Sequence, residues 1–391
     1  MDNNRGIILK TFYTFFVNGL MALMIGSVMP FVIEEYGINY GIAGIFLSLH
    51  SMGNLFASFI AGYSIYKFGR KRSIVFLSSF IAISYFGIIT LDYLPLLFVM
   101  FFLTGLGRGS ISNVNNAIIN DIAVGKSSLL NLLHTCFAVG AFLTPILASF
   151  ITGAGFDWKI VVVIGIGFSI TMVFTYLFMD MGKIEVKNSS NEKSKSNVFY
   201  RNIDFYLASL LLFFYLGAEN SVNGWLVTYF KDMGIMSTAF AQRLLSTLWV
   251  VIIFGRLSTA YLSNKFKNQT LILINSTGAT IFFILLLISK DVWVITGAIV
   301  GFGFFLAGIY PTTISSTGKI IKGSSAAMAT ILAVAGVGGI IMPYMTGVIA
   351  EKKGIAGGMS VIIVNIALML VLAIILKIRE NKISVNALDK I

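Results

Sequence analysis

Charge is what this chain lacks most. Of its 391 residues only 11% are Asp, Glu, Lys or Arg, against about a quarter in ordinary soluble domains, and the mean hydropathy is +0.90. That scarcity excludes a water-soluble globule. Cysteine occurs once, at Cys136, which excludes an intrachain disulfide and leaves the redox compartment unread. Histidine occurs twice, at His50 and His134, too isolated in the sequence to suggest a metal cluster. No nucleophile and base pair and no phosphate loop stands out, so neither catalysis nor a cofactor is expected. No cleavable leader is expected either: the first apolar run continues for about 25 residues without a small-residue cleavage site, and should remain as the first span.

Long apolar runs are what the chain has instead. A hydrocarbon core of about 30 Å needs about 20 such residues per helix. Reading between polar breaks gives twelve runs: 8 to 33, 40 to 66, 73 to 91, 94 to 121, 129 to 152, 158 to 181, 201 to 230, 237 to 263, 269 to 289, 291 to 319, 324 to 350 and 355 to 379. The net charge of +12 raises the question of nucleic acid, and the placement of the basic residues answers it. With the N-terminus inside, twenty Lys and Arg fall in inner segments, Lys67, Arg70, Lys71 and Arg72 among them, and five in outer ones: Lys159, Lys231, Lys290, Lys352 and Lys353. The positive-inside rule then puts both termini in the cytoplasm of a multi-pass protein of the cell membrane, and no polyanion is needed.

One strongly polar stretch, MGKIEVKNSSNEKSKSN from Met181 to Asn197, lies near the midpoint. It divides the chain into a bundle of residues 1 to 181, a cytoplasmic linker of 182 to 200 and a bundle of 201 to 391. Four local matches recur at an offset of 196 to 198 residues: YGI with MGI, GYSIYKF with AYLSNKF, GLG with GFG, and SS at 127 with SS at 324. Two copies of a six-helix unit in parallel orientation follow, the arrangement of halves that rock about a central site. The expected fold is all-α.

The segment after the second run reads GYSIYKFGRKRS. Glycines there permit a tight turn and a close helix approach, and the basic residues can reach acids or carbonyls when the inside is closed. A purely topogenic role is the other reading. Gly62, Gly69, Arg70, Lys71 and Arg72 resemble the cytoplasmic signature of the major facilitator superfamily, with Tyr66 where that family has Asp. The resemblance covers nearly the whole chain. It implies that the first, fourth, seventh and tenth spans line a cavity, that a small-molecule substrate is carried across the bilayer by alternating access, and that the chain works as a monomer.

In the fourth span Arg108, Ser112 and Asn116 follow at i, i+4 and i+8 on one face. An Arg at helix centre costs about 2.5 to 3.5 kcal/mol on insertion scales, so it must face water, a partner or substrate; capping of neighbouring carbonyls is the bland alternative. In the seventh span Tyr215, Glu219 and Asn223 repeat the spacing, with Trp225 following. Glu219 can serve as a proton acceptor or as an ion-pair partner of Arg108. Asn18 in the first span joins the candidate substrate contacts. Trp225, Trp249 and Tyr310 suit stacking on a sugar ring, with packing as the default. Asp121 and His134 are weaker titratable candidates.

The pattern met by Tyr215, Gly217, Glu219, Trp225, Leu226 and Tyr229 is similar to the fucose and glucose permease branch, as are GRLSTAYL, GFGFFLAGIYPTTISS and HTCFAVGAFLTP. That likeness implies symport of a sugar or sugar-like solute with a proton. Two acids of those permeases are absent, Gly26 and Ser112 standing in their places, which leaves coupling to Glu219. A drug or metabolite exporter is a rival, weakened because only Gly140 and Pro145 of the exporters' glycine- and proline-rich element are present. An organic-anion carrier using Arg108 is another.

Overall fold

The structure, a computed structural model, describes residues 2–122, 127–181, 197–318 and 324–388. Residues 182–196 of the expected linker, with their four lysines, lie outside the described residues. The helices are α1 (Asp2–Ala22), α2 (Met24–Glu35), α3 (Tyr40–Phe68), α4 (Arg70–Thr90), α5 (Leu94–Ile122), α6 (Ser127–Gly153), α7 (Lys159–Leu177), α8 (Ile203–Asp232), α9 (Thr238–Leu262), α10 (Asn268–Ile288), α11 (Val292–Leu306), α12 (Ile309–Ser316) and α13 (Ser325–Leu388). Among the described residues there is no strand.

Among the described residues, eleven helical runs are long and apolar enough to cross a membrane. The last of them, Ala326–Lys382, has 57 residues and would be roughly 85 Å long if straight, far beyond one crossing. It breaks at Gly354, whose φ of 74° and ψ of 167° only glycine adopts readily. Counted on either side of that break, the spans number twelve. Gly69, between α3 and α4, uses the same backbone region, with φ 80° and ψ 158°.

Proline interrupts other spans by removing an N–H and crowding the carbonyl four residues earlier. Pro30 does this to Gly26 inside α2, and Pro311 to Ala307 where the tenth span divides into α11 and α12. Pro343 leaves the Gly339 carbonyl without its helical donor, and Asn220 Nδ2 on α8 donates to it at 3.4 Å. A polar side chain thus satisfies a backbone group that the bilayer cannot.

The chain divides into two compact units. One holds Met1–Asn188 together with Asn223–Ser246, the other Ser189–Val222 together with Thr247–Ile391. In the first, α3 packs on α5, α1 on α6, and α4 on both α5 and α7. Three helices are also tied by buried polar groups: Asn115 Nδ2 on α5 donates to Thr14 Oγ1 on α1 at 3.0 Å, and Tyr176 OH on α7 donates to Asn115 Oδ1 at 2.8 Å.

Specific contacts draw Asn223–Ser246 into this unit. A Cβ on Gly26 would come within 1.9 Å of the Asn223 carbonyl oxygen, and Gln242 Nε2 donates to the Ser27 carbonyl at 2.8 Å. Thr152 Oγ1 donates to Gln242 Oε1 at 3.0 Å, Arg243 Nε to Ser149 Oγ at 2.7 Å, and Ser246 Oγ to the Phe142 carbonyl at 2.8 Å. Lys231 pairs with Glu34 at 2.6 Å, and Tyr40 OH donates to Asp232 at 2.8 Å. In the second unit α10 packs on α11 and α13, Asn365 Nδ2 donates to the Phe214 carbonyl at 2.8 Å, and Arg379 Nε pairs with Asp204 at 2.5 Å.

Candidate functional site

The first unit holds a polar cluster on α1, α3 and α5. Helix α3 meets α5 where glycines remove the side chains between them: a Cβ on Gly105 would sit 1.8 Å from the His50 carbonyl oxygen, and one on Gly53 2.1 Å from that of Phe102. This close approach sets His50 beside Arg108, with 2.9 Å between Arg108 Nη1 and His50 Nε2. His50 Nδ1 is 2.7 Å from Thr104 Oγ1, and Thr104 Oγ1 donates to the Phe101 carbonyl at 2.6 Å. A guanidinium only donates, so Nε2 must accept. His50 is therefore neutral, its Nδ1–H donates to Thr104, and the chain ends on a backbone carbonyl.

Arg108 is 9% exposed, and its Nε has no hydrogen-bond partner among the described residues. Asn18, fully buried, donates from Nδ2 to Ser112 Oγ at 2.9 Å, while its Oδ1 is likewise without a partner. Asn116 turns back on its own helix, donating to the Ser112 carbonyl at 2.8 Å. Of the residues singled out from the sequence in this unit, Asn18, Arg108 and Ser112 come together. Trp225 is fully buried, its ring edge-on to Tyr40 at 6.1 Å, which is a packing environment. Gly26 has no room for the acid found there in the sugar permeases, because the Asn223 backbone occupies that space.

The second unit holds the acid. Glu219 lies in the interior of α8, hydrogen-bonded to the Tyr215 hydroxyl, with the Arg256 charge acting on it. The Tyr215 and Tyr310 rings are 5.7 Å apart, and Arg256 acts on Tyr310 as well. Trp249 on α9 is buried. Tyr215, Glu219 and Tyr310 thus form one group around a carboxylate with a cation nearby. Sequence reasoning missed His50, Thr104 and Arg256. Arg256 lies inside the expected run 237 to 263, where its charge is the available signal; the i, i+4 step from Thr104 to Arg108 is visible in the sequence too, but its partner His50 sits on another helix.

At the start of α4, Arg70 Nη1 pairs with Asp121 Oδ2 at 2.8 Å, while Tyr66 is 90% exposed. The acid for this arginine therefore comes from the end of α5, not from the motif's own loop. Lys71 and Arg72 are exposed, and a Cβ on Gly62 would meet no atom within 4 Å. His134 is exposed on α6 with Phe15 edge-on at 5.4 Å.

A family model for the Major Facilitator Superfamily matches residues 11–324. The glucose/mannose transporter GlcP of Bacillus subtilis is 23% identical, over 97% of this chain and 96% of its own. Bypass of stop codon protein 6 of Saccharomyces cerevisiae is 24% identical, over 87% of this chain and 76% of its own. Among solved structures, a point mutant of the nucleoside transporter NupG superposes with a TM-score of 0.78 at 14% identity, covering 94% of this chain and 98% of that one.

Proposed function

The chain belongs to the Major Facilitator Superfamily, and on that premise we propose that it is a secondary active transporter of a sugar or sugar-like polar solute, coupled to protons through Glu219. The observation that carries this reading is the position of that carboxylate. Among the described residues it is the only acidic side chain in the interior of a span. It lies about 17 residues into α8, roughly 25 Å from the start of the helix, a depth that both sides of the bilayer reach in turn during alternating access. Tyr215 donating to it, Arg256 acting on it and Tyr310 beside it give a proton site whose occupancy neighbours can sense.

The relatives support the solute class: one similar protein carries glucose and mannose and a similar fold carries nucleosides, which contain a sugar ring. The charge distribution supports both termini in the cytoplasm of a cell-membrane protein, and the chain is proposed to act as a monomer. The test is uptake by reconstituted protein under an imposed pH gradient, with neutral hexoses, nucleosides, sugar acids and cationic drugs offered in parallel. Accumulation of a sugar-type solute that a protonophore abolishes is expected. Movement of cationic drugs alone, or accumulation indifferent to the gradient, would overturn the reading.

A further inference from the structure

The cluster around Arg108 carries more than a general polar site. Its charge is unmatched: among the described residues Arg108 takes part in no ion pair, and Tyr85 and His50 are the titratable groups that interact with it. His50 is neutral by the hydrogen-bond argument above, so it fixes the guanidinium without offsetting its charge. The bond to His50 uses Nη1. That leaves the Nε and Nη2 edge, two parallel donors in the geometry that matches a planar pair of oxygens. A guanidinium buried in this way is costly unless an anion meets it.

We infer that Arg108, held by His50, is a carboxylate-binding edge, and that the solute carried is a hydroxylated carboxylate, a sugar acid in place of a neutral sugar. One fixed positive charge matches one carboxylate, whereas a phosphate dianion would call for a second cation that this cluster does not supply. The hydroxyl follows from Asn18. Its amide, one helical turn from Arg108 by way of Ser112, keeps one polar atom unmet, and a hydroxyl satisfies that atom whichever way the amide is turned. His50 is a positioning residue in this scheme and touches no substrate. The inference rests on the proposed transporter reading and narrows its solute.

The test uses the purified full-length protein, with thermal protection and equilibrium binding as readouts. The probes are D-glucuronate and D-gluconate set against D-glucose and the methyl ester of D-glucuronate, which keeps the ring but loses the second free oxygen and the charge. Carboxylates are expected to bind at least about tenfold tighter than their neutral counterparts, a charge-assisted pair being worth that much. His50→Leu should erase most of this preference, while His50→Gln, which keeps an acceptor near the Nε2 position, should hold it within about threefold. A merely structural role for His50 would weaken acid and ester alike and leave their ratio unchanged. Equal protection by acid and ester on the wild-type protein overturns the inference without recourse to any variant. Neutral hexoses bound and accumulated while carboxylates are ignored would sink it but leave the transporter reading standing; protection by cationic drugs alone would sink both.

Discussion

At the scale of single residues, the two polar clusters differ in what they can exchange. Glu219 can gain and lose a proton; Arg108 and neutral His50 are locked by donor and acceptor roles that leave no choice. Glu219→Gln mimics the protonated acid in shape and cannot release a proton. It should keep counterflow of the same solute within about threefold while abolishing accumulation driven by a pH gradient. Accumulation by the mutant under a pH gradient alone would remove Glu219 as the coupling site. Gly105 makes a sharper structural case, because the atom an added Cβ would strike is a backbone carbonyl that cannot swing away. Gly105→Ala should cost about 1 to 3 kcal/mol or more, seen as a lower melting temperature. Gly167→Ala, where a Cβ meets nothing within 4 Å, should leave it unchanged. Arg108 and Ser112 could be read from the sequence because both lie on one helix at a fixed period. His50 could not, since what makes it matter is the approach of a second helix, and no periodicity within α3 encodes that.

At the scale of elements, the spans were legible almost to their ends. The expected runs 237 to 263 and 269 to 289 became Thr238–Leu262 and Asn268–Ile288, because length and apolarity are what a bilayer selects. The breaks within spans were less visible. Residues 291 to 319 read as one run, yet Pro311 and the Gly308 junction divide it, and a proline's effect depends on whether a neighbour satisfies the carbonyl it frees. The break at Gly354 did fall between two expected runs, and it rests on a backbone conformation closed to side chains. Gly354→Ala should therefore destabilise by about 1 to 3 kcal/mol. Thermal unfolding in detergent would check it, with an unchanged melting temperature counting against a strained junction.

At the scale of the whole molecule, the charge pattern makes a claim about topology that needs no side-chain detail. The native Cys136 is the only thiol, so replacing it with alanine gives a clean background for single cysteines. Cysteines at Asp157 and Lys352 should react with an impermeant maleimide on intact cells, and those at Lys71 and Ser190 only after permeabilisation. Labelling of position 190 from outside would overturn the map. The bonds among Thr14, Asn115 and Tyr176 bear on how the first unit behaves as a body. They lie where no water competes for donors or acceptors, so separating α1, α5 and α7 would strand three polar groups in hydrocarbon at once. Whatever drives the transport cycle must therefore turn these helices together, as a stiff lever. The amide protons flanking Asn115 should be among the last in that unit to exchange with deuterium, and Asn115→Leu should speed their exchange without moving the spans.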